Sequence, residues 1–175
     1  LLGHGNPGTH TIDGNTLLQT GSGDAIFYDS ALGDITITNN TLSSAVNLYG
    51  WGGTKVTITH NRFHNSNINP DDIPTTRSSI YLWDDESGYG SGKQDTVQYN
   101  TFTGPTRDQP VIYFKKGIPI FSHNNILQTS TVAVLDVSPN TASTAVQLSA
   151  NNWWNTTDIT EIHALVYEWN DNATR

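Results

Sequence analysis

The sequence predicts an all-β fold, a right-handed parallel β-helix of five to six coils closed at its C-terminus by a short amphipathic helix, on three observations. A six-residue pattern with Asn at its fourth position and apolar residues at both ends recurs six times along the 175 residues. A second short alternating segment lies between successive copies. The composition is rich in Asn, Thr, Ser and Gly with only 14% charged residues, which suits pleated strands and tight turns more than helices with ion-paired faces.

The pattern occupies residues 12–17 (IDGNTL), 37–42 (ITNNTL), 58–63 (ITHNRF), 97–102 (VQYNTF), 121–126 (FSHNNI) and 148–153 (LSANNW). Its asparagines, Asn15, Asn40, Asn61, Asn100, Asn124 and Asn151, are separated by 25, 21, 39, 24 and 27 residues. That period suits one solenoid coil per copy, with an insertion in the third interval. Ile35 with Ile37, Val56 with Ile58 and Val146 with Leu148 alternate, so each pair shares one face of a strand and points inward. The asparagine suits a corner, because Asn tolerates the left-handed backbone region and its amide can bond to the next coil's Asn. The second segments, 25–29 (AIFYD), 45–49 (AVNLY), 79–83 (SIYLW), 111–115 (VIYFK) and 132–136 (VAVLD), give every coil at least two strands.

The chain closes on Asn151-Asn152-Trp153-Trp154-Asn155-Thr156-Thr157-Asp158 and an amphipathic segment. Asp158 and Glu161 read as a capping-box pair, and Ile159, Ile162, Leu165, Val166 and Trp169 as one helical face covering the last coil. Repeat and ending together resemble the pectate-lyase-like superfamily of right-handed β-helix proteins, whose secreted members often end N-x-W-G-T/S-x-D; Asn155 stands where glycine is common. The resemblance spans nearly the whole chain, and a length of 175 residues suits a single domain over 1–175, with coils over 1–155 and helix and tail over 156–175. That superfamily hosts lyases, hydrolases, epimerases, adhesins and phage tail proteins, so the fold constrains chemistry weakly.

Eight basic against sixteen acidic residues give a net charge of −8, a field that repels phosphate backbones and argues against general nucleic-acid binding. There is no cysteine, no apolar run of membrane-spanning length and no charged-then-apolar leader. Methionine is absent, position 1 included, which fits a piece of a longer secreted precursor, extracellular or at a cell surface. An open first coil invites an upstream domain or self-association.

The long third interval places extra residues at 64–78 and 84–94, on both sides of the 79–83 segment, as walls of a groove. With Ile80 and Leu82 inward, Tyr81 and Trp83 point outward onto its floor. Aligning the second segments gives an outward row of Phe27, Asn47, Tyr81, Tyr113 and Val134 beside another of Asp29, Tyr49, Trp83, Lys115 and Asp136. Rings with interleaved charges suit a polysaccharide, so Tyr49, Tyr81, Trp83, Tyr113 and Arg77 are candidate binding residues. The same rings would equally pack against overlying loops. For cleavage, a lyase needs a base and a cation, from Lys115, Lys116, Arg77 or Arg107; a glycoside hydrolase needs two carboxyl groups, from Asp84, Asp85, Glu86 or Asp136. Lys115 and Asp136 as neighbours on adjacent coils would equally form a solvated ion pair.

No cofactor follows from the sequence; Asp71-Asp72 and Asp84-Asp85-Glu86 offer the hard oxygens Ca²⁺ takes, without a diagnostic ligand spacing. His60, His64, His123 and His163 show no metal-binding spacing, and His60 and His123 fall at corners beside the asparagines. Outward pairs Thr36/Thr38 and Thr57/Thr59 are similar to the threonine arrays of ice-binding solenoids, but Gln98, Ile120, Ser122, Gln147 and Ser149 break the array on later coils. The leading reading is a polysaccharide-binding β-helix, with cleavage left open between a lyase and a hydrolase. Its rival is a non-catalytic structural or adhesive module, with ice binding a minor third.

Overall fold

The computed structural model describes residues 2–4, 8–18, 24–31, 33–50, 55–64, 78–84, 95–106, 108–116, 119–137 and 151–167. They form a right-handed parallel β-helix. Each coil contributes one strand to each of three parallel sheets. The first sheet stacks β1 (Leu2–His4), β4 (Ile26–Ala31), β7 (Val46–Gly50), β10 (Ile80–Asp84), β13 (Ile112–Lys116), β16 (Leu135–Asp136) and β17 (Val166–Tyr167). The second stacks β2 (His10–Asp13), β5 (Ile35–Thr38), β8 (Val56–Thr59), β11 (Thr96–Gln98) and β14 (Ile120–Ser122). The third stacks β3 (Thr16–Leu17), β6 (Thr41–Leu42), β9 (Arg62–His64), β12 (Thr101–Thr103) and β15 (Asn125–Ile126). Five three-strand coils result.

Alternation in each strand buries one column of like residues per inward position. Ile12, Ile37, Ile58, Val97 and Phe121 share a register, and so do Ile26, Val46, Ile80, Ile112 and Leu135. In the third sheet Phe63 and Phe102 stack with ring centroids 4.9 Å apart and planes 8° from parallel. One continuous apolar core runs along the axis. On the outward side of the second sheet Thr11, Thr36, Thr57 and Thr96 form one column, while its companion reads Asp13, Thr38, Thr59, Gln98 and Ser122. The paired-threonine array is thus confined to two coils.

The asparagine ladder runs through the corner between the second and third sheets. The backbone N–H of Asn15, Asn40, Asn61, Asn100 and Asn124 donates to the side-chain oxygen of the next rung at 2.8 to 3.0 Å. Two corrections follow. The last rung is Asn152, not Asn151: Asn152 Oδ1 accepts from Asn124, while Asn151 is exposed and its Nδ2 meets His123 Nε2 at 3.3 Å. The left-handed residue is also not the rung but the one before it, with φ of 68° at Gly14, 56° at Asn39, 58° at His60, 57° at Tyr99 and 58° at His123. That turn aims the asparagine inward and the preceding side chain at solvent. There His60 and Tyr99 stack at 5.0 Å and Tyr99 and His123 at 4.9 Å, with planes 14° and 24° from parallel.

The one-residue shift carries through the chain's end. Trp153 pairs with Asn125 and is 46% exposed, while Trp154 takes the buried column position at 8% and its ring lies 6.1 Å from that of Phe121. Asn155 has φ of 61°, so asparagine meets there the backbone demand that glycine would otherwise satisfy. Helix α1 (Ile159–Leu165) is shorter than expected. Asp158 caps it by accepting from the N–H groups of Thr160 and Glu161, but Glu161 accepts from the Thr156 hydroxyl instead of completing a capping box. Ile162, Leu165 and Val166 pack on the core, whereas Ile159 is 64% exposed, and Val166 already belongs to β17, which pairs with β16. Trp169 lies outside the described residues. A cleft of about 350 Å³ remains between α1 and the last coil, lined mainly by Ile126, Val134, Trp154 and Leu165.

Candidate functional site

The outward face of the first sheet carries most of the predicted site residues. Tyr81 in β10 pairs with Asn47 in β7 on one side and Tyr113 in β13 on the other, and Tyr113 pairs with Asp136 in β16. The predicted row is therefore right as far as Tyr113 and wrong at its end. Val134 does not follow Tyr113; it lies two residues earlier in the coil, where its carbonyl accepts from Ile112 N–H, and it is buried. Asp136 takes the outward position next to Tyr113 instead.

Full burial changes what this row offers a ligand. Tyr81 is 0% exposed and stacks on Tyr113 at 5.4 Å with planes 7° apart, so its ring serves as a support under the surface. Asn47 is buried as well, donating from Nδ2 to Asp24 Oδ2 at 3.1 Å. Tyr113 and Asp136 are half-buried and keep an accessible side. Loss of water around the Tyr113 phenol, and then the Asp136 carboxylate beside it, raise its pKa above the ordinary 10.0.

The second row is redirected by a β-bulge. Leu82 pairs with Phe114 but Trp83 pairs with Lys116, so Lys115 is the extra residue. Its ammonium lies 3.6 Å from the centroid of the Trp83 ring, a cation–π contact. Lys115 is thus engaged with Trp83, and Asp136 faces Tyr113 in place of the predicted Lys115 neighbour. Trp83 and Lys115 are both half-buried. Four chemically distinct groups meet here on adjacent coils: an indole, an ammonium, a phenol and a carboxylate.

Tyr49 pairs with Trp83, and Asp84 with Gly50. The side chains of Tyr49 and Asp84, and the whole of Arg77, Asp85, Glu86 and Arg107, lie outside the described residues, as do residues 65–77 and 85–94 of the two excursions, the Asp71-Asp72 pair considered for Ca²⁺ among them. Among the described residues no three His, Asp or Glu side chains converge as a metal site. Asp24, through Asn47, and Asp136 are three strand spacings apart, roughly 14 Å, beyond the about 9.5 Å upper separation of a hydrolytic carboxyl pair. The described groups thus set two rings, an ammonium and a carboxylate side by side on one outward face.

Fold and site define a β-helix protein with an aromatic and charged outward face. Comparison with family models, curated proteins and solved structures returns no match. Among the described residues no helix is long and apolar enough to cross a membrane.

Proposed function

We propose that this is an extracellular or cell-surface glycan-binding β-helix of the pectate-lyase-like kind, gripping a polysaccharide across β10, β13 and β16. The observation that carries the reading is the Trp83–Lys115 pair standing beside Tyr113 and Asp136 on one outward face. Indole and phenol rings offer flat apolar area to a sugar ring with little conformational entropy to lose, and the ammonium and carboxylate take its hydroxyls. Tyr81 stiffens the platform from beneath. The reading is one of binding: the Lys115 ammonium rests against the indole, where both can meet the same ligand.

A glycan array followed by tryptophan-fluorescence titration tests it. Binding to at least one neutral or acidic glycan is expected, with Trp83→Ala weakening it at least about tenfold and leaving the circular dichroism spectrum unchanged, as for an aromatic anchor worth about 1.4 kcal/mol or more. Equal affinity of Trp83→Ala and wild type would sink the reading. The burial of Tyr81 is the observation that favours the rival, a structural or adhesive module, since it shows outward rings packing within the protein. Silence across the array would move the assignment there.

A further inference from the structure

Asparagine stands in two kinds of place along this solenoid, and strand register separates them. The rungs Asn15, Asn40, Asn61, Asn100, Asn124 and Asn152 point into the corner. Two places after each comes Leu17, Leu42, Phe63, Phe102, Ile126 or Trp154, all packed on the core. A hydroxyl residue there would break an apolar column. The left-handed residue just before a rung has the opposite parity, so that it and the residue two places on both look outward. Those outward followers are Thr16, Thr41, Arg62, Thr101 and Asn125. Only one of the five corners joins a left-handed asparagine to an outward hydroxyl, as Asn39-Asn40-Thr41. Asn155-Thr156-Thr157 repeats the triplet in the turn after Trp154, again with its first residue left-handed. Asn39 and Asn155 are both exposed. Asn39 Nδ2 donates to Asp13 Oδ1 at 2.9 Å on the surface; an amide nitrogen has two hydrogens, so this bond survives substitution of the other. The sequence holds the triplet once more at 172–174, outside the described residues.

An Asn-x-Thr triplet is the acceptor of secretory glycosylation, and the third-position hydroxyl is the feature its transferase reads. The reaction joins Asn Nδ2 to C1 of the first sugar of a lipid-diphosphate-linked oligosaccharide. The C1–O bond to the diphosphate breaks, the diphosphate leaves with the bonding pair, and Nδ2 gives up one proton. No oxidation or reduction is involved. Transfer precedes folding, so the sequence sets the acceptor and the fold decides whether the product is tolerated. A glycan on a rung would strand interior hydrogen bonds, whereas one on Asn39 or Asn155 extends straight into solvent. We infer that Asn39 and Asn155 are N-glycosylation sites, carrying oligosaccharide near the two ends of the stack. Asn39 follows β5 on the second coil, and Asn155 lies just before α1. Neither belongs to a strand of the first sheet, so the Trp83 face stays open. A bulky hydrated chain near an end coil also hinders strand pairing between copies at the open edges. The inference rests on the extracellular placement proposed above and is independent of what the Trp83 face binds.

Translation of the full chain behind a cleavable secretory leader, in the presence of endoplasmic-reticulum microsomes, tests it, with protease protection selecting the imported chains. Peptide-N-glycosidase hydrolyses the glycan bond and leaves a carboxyl group where the amide was, so mass spectrometry reads each site separately. Conversion at Asn39 and Asn155 is expected, with all six rungs unchanged. Asn39→Gly and Asn155→Gly suit the left-handed backbone, as Gly14 does one coil earlier, and each should remove one glycan. Thr41→Ala and Thr157→Ala should do the same with the asparagine intact, while Thr41→Ser should keep modification at Asn39. The glycosylated chain and the Thr41→Ala/Thr157→Ala chain should share one circular dichroism spectrum. An imported chain left unmodified at either asparagine would overturn that site's assignment. Conversion at any rung, or loss of the β-sheet spectrum in the modified chain, would overturn the register argument behind both. Silence on the glycan array from a chain modified at both sites supports this inference and counts against the Trp83 reading alone. Trp83-dependent glycan binding by an imported chain that carries no glycan would do the reverse.

Discussion

Asn100 shows how much one side chain carries in this fold. Its Nδ2 donates to the carbonyls of Ile58 and Gln98 and to Asn124 Oδ1, and its Oδ1 accepts from Asn61, all in the interior. Asn100→Ala removes these and strands buried backbone groups on two coils, at a cost of about 1–3 kcal/mol for each group left unsatisfied. A loss of about 2–4 kcal/mol in urea unfolding is expected, and the same from Asn152→Ala, whereas Asn151→Ala should stay within about 0.5 kcal/mol because its side chain is at the surface. Comparable losses for Asn151 and Asn152 would refute the register. Tyr113 makes a pH prediction at the same scale. Its raised pKa means that the folded chain holds the phenol proton more tightly than the unfolded chain does. The associated stability is complete below the unfolded value of 10.0 and is lost as pH rises through the higher folded value. The urea midpoint should therefore fall above about pH 10, and Tyr113→Phe should flatten that fall. An identical alkaline slope in both proteins would count against it.

At the scale of elements, strand faces were legible in the sequence and strand ends were not. The inward columns follow from alternation alone, and five of the six asparagines from their period, because a one-residue slip would turn a whole apolar set outward. The exception is the doubled Asn151-Asn152 and Trp153-Trp154, where both registers satisfy the pattern; what separates them is which tryptophan fits over Phe121 and Ile126, a packing fact with no signature in spacing. The Leu82/Trp83 bulge was equally invisible, and it moved Lys115 from a strand neighbour to a ring contact. On the first-sheet face, alternation placed Asn47, Tyr81 and Tyr113 in one row, but it misplaced Lys115 and Asp136 and could not show that Tyr81 is covered. The His60–Tyr99–His123 stack was missed because the left-handed position had been placed one residue late. The chain's end can be probed directly. Trp154→Ala should cost about 3–5 kcal/mol by opening a cavity, against less than about 1 kcal/mol for Trp153→Ala. Asp158→Ala should cost about 1 kcal/mol through the lost cap of α1. Thermal or urea unfolding of the three variants reads the order, and a Trp153 cost above that of Trp154 would contradict the buried column.

On the scale of the whole molecule, the solenoid makes stability a nearest-neighbour property. Each coil is held by the coils above and below through ladder bonds, stacked columns and asparagine rungs, so a coil with two ordered neighbours opens less readily than one at an end. The coil of β8 and β9 and the coil of β11 and β12 sit inside the stack, and Ile58, Phe63, Val97 and Phe102 are all 0% exposed. The coil of β2 and β3 is the outermost in both of its sheets, with Thr11, Asp13 and Asn15 exposed and Leu17 only half-buried. Hydrogen exchange followed by mass spectrometry should therefore show amides of 56–63 and 96–103 as the slowest and those of 10–17 as the fastest among the strands, with 35–42 between. The gradient also places the Trp83 face mechanically: β10 and β13 each have a paired strand on either side, so a ligand there meets a rigid platform. Uniform exchange across all coils would mean that the stack opens as one unit, and the rigidity argued for the Trp83 face would then have to come from the helix as a whole.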